Sequence, residues 1–280
     1  MIEAGKGRNY GIMEKNKMRI AFIGGGAMGE AIIKCLLTKK GAAPQDMVVS
    51  DISPVRRELL SREYGVSTLA DNRKAVANAD LIVLAVKPQN LPQVMEEIKT
   101  PSPEQLVLSI VAGATLSSLC QGLNHSSVIR AMPNMPAQIG EGMTIWTTTA
   151  GTEQKQKELA QAVLGALGKE IYVTDEKYLG MATALSGSGP AYVFLFIEAL
   201  VDAGVHIGLP RDMAQELVIQ TILGSTLTVE KTGKHPADLR NMVTSPGGTT
   251  TEALLQLEKG GLRSLLLEAV AAAYKKAERL

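Results

Sequence analysis

An apolar run from Arg19 to Ile23 passes directly into Gly24-Gly25-Gly26-Ala27-Met28-Gly29, and that loop opens the helical pattern Ala31 to Leu37. The spacing G-x-G-x-x-G is weak alone; its place between a strand and a helix gives it weight. Gly24 allows a tight turn, Gly26 lets the backbone approach a pyrophosphate, and Gly29 permits close packing of helix on strand. The helix start adds unpaired N–H groups and the positive end of a dipole. Residues 24–29, with Ala27 and Met28 between the glycines, are therefore assigned to the pyrophosphate of a nicotinamide dinucleotide. The bland alternative is a glycine-rich turn without a ligand.

Apolar runs alternate with helical patterns as far as Thr174, the order expected of a parallel sheet covered by helices. Strands are expected at Arg19 to Ile23, Met47 to Ser50, Leu81 to Val86, Leu106 to Ile110, Val128 to Ala131, Thr144 to Thr148 and Glu170 to Val173. None alternates polar with apolar residues, which fits strands covered on both faces. After Thr174 the patterns are helical: Tyr178 to Leu185, Ala191 to Ile207, Arg211 to Lys231, Pro236 to Val243, Thr251 to Glu258 and Leu262 to Glu278. Ala191 to Leu200 carries only Glu198 as a charge, so it is expected to be buried on most sides. Either a second subunit or the first domain could cover it. Residues 1–17 lack the apolar segment of a secretory signal and read as a flexible extension.

Net charge is +1 with no long basic run, so no nucleic-acid footprint is expected. No uninterrupted apolar stretch reaches the roughly 20 residues of a membrane span. Cys35 and Cys120 are too few for a disulfide framework or zinc cluster, and a reducing, cytoplasmic compartment is expected. His125, His206 and His235 have no metal-spaced partners; surface or capping positions are expected for them, and no metal.

In an open α/β sheet the ligand lies outside the carboxyl ends of the strands. That places Ser50 and Asp51, then Ala85-Val86-Lys87-Pro88, Ala112-Gly113 and Arg130 to Asn134 on the cofactor rim. Asp51 stands about 20 residues past Gly29, where an acidic residue hydrogen-bonds a ribose 2′-hydroxyl and favours NAD. Arg56 and Arg57 follow closely and could pair with the 2′-phosphate of NADP; a solvated helix face is the other reading, and NAD versus NADP stays open.

Two further glycine clusters punctuate the helical half. Ser186-Gly187-Ser188-Gly189-Pro190 reads as a kink between helices. Thr244-Ser245-Pro246-Gly247-Gly248-Thr249-Thr250-Thr251 combines glycines, hydroxyls and a following helix. It reads as an anion site suited to a small carboxylate, or as ordinary capping by one threonine.

With GGGAMG (24–29), AVKP (85–88), MPNMP (132–136), LSGSGPAY (185–192) and TSPGGTT (244–250), the chain resembles the pyrroline-5-carboxylate reductases over residues 18–280. The resemblance implies a Rossmann-type dinucleotide-binding domain, 18–174, followed by an all-α dimerisation and substrate domain, 175–280. It implies hydride transfer from NADPH or NADH to the imine carbon of 1-pyrroline-5-carboxylate, giving L-proline. It further implies homodimers that assemble into decamers. On that alignment Gly247, Gly248 and Thr249 offer backbone N–H groups to the substrate carboxylate and Ser245 a hydroxyl. Thr250 is the catalytic residue, hydrogen-bonded to the ring nitrogen. Asn72 and Lys87 contact the adenosine side of the cofactor, and Ala112, Pro133 and Asn134 lie along it toward the nicotinamide. Asp51 departs from the hydroxyl residue of NADPH-preferring members. A 3-hydroxyacid dehydrogenase is the nearest rival and would need Lys177 as its acid–base; a cofactor-sensing regulator would leave TSPGGTT unused.

Overall fold

The computed structural model describes residues 18–279, so the expected extension at 1–17 lies outside the described residues. The chain divides into two compact units. One runs up to Ser188 and includes the stretch from Ala273; Gly189–Ala272 form the other.

The first unit holds an eight-stranded sheet: β1 (Ile20–Ile23), β2 (Met47–Ser50), β3 (Ser67–Leu69), β4 (Leu81–Leu84), β5 (Leu106–Ser109), β6 (Val128–Met132), β7 (Gly142–Thr148) and β8 (Gly168–Tyr172). Their order is β3-β2-β1-β4-β5-β6-β7-β8. The helices are α1 (Ala27–Thr38), α2 (Pro54–Tyr64), α3 (Asn72–Val76), α4 (Leu91–Glu97), α5 (Leu116–Leu123), α6 (Gln154–Gly165) and α7 (Lys177–Ala182).

The strands read as unbroken apolar runs because each serves two cores. Ile20 and Phe22 of β1, Leu81 and Val83 of β4, and Leu106 and Leu108 of β5 pack into one. Ala21 and Ile23, Ile82 and Leu84, and Val107 pack into the other. Both layers therefore draw on every central strand.

Two expectations change. The sheet is not wholly parallel, since β7 runs antiparallel to β6, with Ala131 opposite Trp146. The link from Met132 to Gly142 holds only the short 3-10 helix Met135–Ile139, and a parallel return needs a crossover of a dozen residues or more. β3 was also not expected. It is three residues long, lies at the sheet edge and buries none of its side chains, so it leaves no apolar run to read.

The second unit contains α8 (Gly189–His206), α9 (Arg211–Thr232), α10 (Pro236–Met242), α11 (Thr249–Lys259) and α12 (Leu262–Ala277), the last ending in the first unit. Val201 is the buried residue of α8 and Ala214 that of α9, while Phe194, Leu195, Leu217, Leu223 and Leu267 are exposed. Burial of α8 on most sides is thus not achieved among the described residues. Residues 177–206 are long and apolar enough, by length and composition, to cross a membrane, which a search for uninterrupted apolar runs misses because Glu198 and Asp202 break the run.

Candidate active site

Ser50, Ile23, Leu84, Ser109 and Arg130 stand in one row across five parallel strands. The segments that follow them therefore leave the same sheet edge: the glycine loop, Asp51, Ala85–Pro88, Ala112–Gly113 and Pro133–Asn134. This is the rim expected from the sequence.

Gly24 has φ +101°, and a Cβ there would lie 2.6 Å from the Ala85 carbonyl oxygen. Its N–H donates to Ser50 O at 2.8 Å, joining loop to β2. A Cβ on Gly29 would lie 2.5 Å from Gly24 O. Gly26 is different. It caps α1 with no side-chain hydrogen bond, its φ is an ordinary −69°, and a Cβ there would meet nothing within 4 Å among the described residues. The space over Gly26, before the open N–H groups of α1, is a cradle of the kind a pyrophosphate fills.

Asp51 is more firmly held than expected. Oδ2 accepts the Gly25 N–H at 2.8 Å and Oδ1 the Ser53 N–H at 2.8 Å. Neither following arginine lies on a solvated face. Arg57 Nη1 donates to Asp51 O at 2.6 Å. Arg56 Nε donates to Gly25 O at 2.9 Å, Nη2 reaches the same oxygen, and Nη2 pairs with Glu30 Oε2 at 2.6 Å. Tyr64 Oη completes the brace by donating to Glu30 Oε1 at 2.8 Å.

This brace titrates. Burial, then the hydrogen bond to Glu30, pushes the Tyr64 phenol up to about 12. Burial raises the Glu30 carboxyl, but the hydrogen bonds from Arg56 and Tyr64 outweigh it and hold the group below its ordinary value. A raised phenol contributes stability that is complete below the unfolded tyrosine value near 10 and fades as pH climbs toward 12. Tyr64→Phe should accordingly flatten the fall in unfolding free energy between pH 10 and 12. Parallel slopes for the two proteins in denaturant titrations would discount the brace.

Elsewhere on the rim, Asn72 Nδ2 donates to Glu97 Oε2 at 2.6 Å, while Lys87 is exposed. Arg130 Nη1 meets Glu176 Oε1 at 2.6 Å, and the same oxygen accepts the Leu116 N–H at 2.8 Å. Glu176 thus ties β6 to the start of α5, which follows the loop carrying Ala112. Sequence reading missed it, because nothing local marks a carboxylate whose partner lies on a distant strand. His125 corrects another expectation: it is buried, with Nε2 2.8 Å from Gln105 O. His235 caps α10 through Nδ1, as expected.

In the second unit, Thr244–Gly248 forms a tight loop before α11. Gly247 has φ +70°, and Gly248 N–H donates to Ser245 O at 3.0 Å. The helix starts at Thr249, earlier than expected, with Gly248 as a cap that makes no side-chain hydrogen bond. Ordinary threonine capping is thus overturned. Thr251 Oγ1 turns back to Ser245 O at 2.8 Å, and Thr244 Oγ1 to Arg240 O at 2.7 Å. Among the described residues, no side chain caps the first-turn N–H groups of Thr249 and Thr250.

Residues 176–280 match the family model described as pyrroline-5-carboxylate reductase dimerisation, and residues 19–113 match that described as NADP oxidoreductase coenzyme F420-dependent. The pyrroline-5-carboxylate reductase of Synechocystis is 42% identical over 94% of this chain and 98% of its own length. The chain belongs to the pyrroline-5-carboxylate reductase family. It is an NAD(P)H-dependent oxidoreductase of proline biosynthesis that reduces 1-pyrroline-5-carboxylate to L-proline. The Escherichia coli reductase is 38% identical over 96% of this chain and 99% of its own. Among solved structures, the reductase of Coxiella burnetii is 38% identical, with a TM-score of 0.87 over 94% of this chain and 98% of that one. That of Plasmodium falciparum, with NADP bound, is 31% identical, with a TM-score of 0.86 over 94% and 97%.

The reductase has no use for Lys177 as an acid. Its ammonium pairs with Asp175 at 2.7 Å, and that hydrogen bond raises its proton affinity above the ordinary lysine value. The apolar helices of 189–272 belong to a dimerisation module, so the chain is a homo-oligomer-forming enzyme.

Proposed function

We propose that the reductase binds the carboxylate of 1-pyrroline-5-carboxylate on the start of α11, through the N–H groups of Gly247 and Thr249 and the hydroxyl of Ser245, while the Gly248 N–H, expected to join them, is committed to Ser245 O. Thr250 holds the ring nitrogen through its hydroxyl and is the catalytic residue. The observation that carries this reading is a helix end without a side-chain cap, approached by two glycines. A preorganised end of this kind favours an anion without reorganisation. Gly24–Gly29 hold the pyrophosphate, Ser50, Asp51, Asn72, Ala85, Val86, Lys87 and Pro88 the adenosine side, and Ala112, Pro133 and Asn134 the nicotinamide side. Bound NAD(P)H supplies the hydride.

We assign 18–174 to cofactor binding and 175–280 to dimerisation and substrate. We also propose a cytoplasmic protein, its two thiols free, whose dimers assemble into decamers. Cofactor oxidation with pyrroline-5-carboxylate, with a 3-oxo acid and with neither tests the reading. Proline should form with the first alone, and turnover of the 3-oxo acid would overturn it.

Asp51 sets the cofactor preference in this reading, as an anion that accepts from a ribose hydroxyl and repels a 2′-phosphate. Asp51→Ser should lower the NADH to NADPH ratio of kcat/KM by about 10-fold or more, the scale of a hydrogen bond to a charged group. An unchanged ratio would remove Asp51 from the ribose.

A further inference from the structure

The motifs MPNMP and SGSGP are far apart in sequence, and neither explains itself. The expected kink at Ser186 to Pro190 is a π turn, Thr183–Gly187. Its widened hydrogen bond runs from the Ser188 N–H to Thr183 O at 2.8 Å, and Thr183 Oγ1 donates to Leu179 O at 2.7 Å. π turns are rare and costly, and they recur at functional sites. The sequence shows where this one is weak. In a helix the carbonyl of residue 186 pairs with the N–H of residue 190, and residue 190 is proline, which has none.

Asn134 supplies the missing donor. Its Nδ2 lies 3.1 Å from Ser186 O and 3.2 Å from Ser186 Oγ. The orientation of the amide is fixed, because Oδ1 accepts the Met143 backbone N–H at 2.8 Å and an N–H can only donate. Both the oxygen and the nitrogen of the amide are thus committed to protein. The π turn also seats closely on the end of β6: a Cβ on Gly187 would lie 3.2 Å from Met132 Cε.

We propose that Asn134 is a positioning residue. It replaces the donor that Pro190 lacks, and so fixes the π turn against the strand end where the nicotinamide side of the cofactor lies. This rests on the rim reading of Pro133 and Asn134 but changes the role of Asn134: the side chain orients the turn and does not grip the cofactor. Fixing that surface holds the hydride donor at its working angle, and displacements of about 1 Å at such a place cost up to about 100-fold in rate.

Four variants test it: Asn134→Ala, Asn134→Asp, Pro190→Ala, and the double variant Asn134→Ala/Pro190→Ala. Asn134→Ala should lower kcat about 10- to 100-fold while the Kd of NAD(P)H, read by nicotinamide fluorescence, changes less than threefold. Asn134→Asp keeps the Met143 bond but turns an anionic oxygen on the Ser186 carbonyl, so it should be as impaired as the alanine variant. Pro190→Ala restores the N–H of residue 190, and in the double variant it should recover at least threefold in kcat. No recovery, or a kcat for Asn134→Ala within threefold of wild type, overturns the proposal. A Kd raised more than 10-fold would instead make Asn134 a cofactor ligand, leaving the rim reading intact. Loss of the fold in Asn134→Ala, read by circular dichroism, moves the decision to Asn134→Asp, where retained kcat is again the overturning result.

Discussion

Gly26→Ala is expected to fold normally and to bind NAD(P)H about 10- to 100-fold more weakly, the cost of forcing a methyl group into a filled contact. Nothing among the described residues forbids the methyl group. The backbone at Gly26 has φ −69°, and the added carbon has no neighbour within 4 Å. Only a ligand lying on the loop makes that space forbidden. Gly24 and Gly29 give the opposite outcome, since added carbons there collide with Ala85 O and Gly24 O within the protein itself. Alanine at either should lower the unfolding temperature along with binding. Calorimetric unfolding and fluorescence titration together separate the two classes. A Gly26→Ala protein that binds cofactor within threefold of wild type would place the pyrophosphate elsewhere.

The contrast among these glycines also shows what kind of information the sequence carried. The strands buried on both faces were legible because burial forces continuous apolar runs, and β2 was placed to the residue. The carboxyl-end rim followed from where those strands end. What was not legible depended on partners remote in the chain. Arg130 and Glu176 meet across the fold, and Asn134 serves a carbonyl that Pro190 leaves unpaired. Arg56 grips a glycine loop that precedes it by a whole strand. No local pattern links either member of these pairs to the other. The start of α11 was placed too late because one of its opening threonines reads as a cap, whereas the structure uses them inside the first turn. The antiparallel β7 likewise came from a link too short for a crossover, a property of the connection and not of the strand.

That early start of α11 sharpens the prediction for Thr250. As a first-turn residue, Thr250 offers two separable groups, a backbone N–H fixed by the helix and a hydroxyl on the side chain. The hydroxyls of Thr244 and Thr251 are spent on the carbonyls of Arg240 in α10 and Ser245 in the loop; among the described residues, that of Thr250 is not. Thr250→Ala removes the hydroxyl alone, since alanine is the best helix former and keeps the N–H in place. Turnover should fall about 10- to 1000-fold, the range for losing one preorganised donor. KM for pyrroline-5-carboxylate should change little, because the carboxylate still meets an intact helix end. Thr250→Ser, which keeps the hydroxyl, should recover most of the rate, and Thr249→Ala should leave kcat within about threefold. If Thr250→Ala turns over within twofold of wild type, the ring nitrogen takes its hydrogen bond from another group and α11 serves the carboxylate alone.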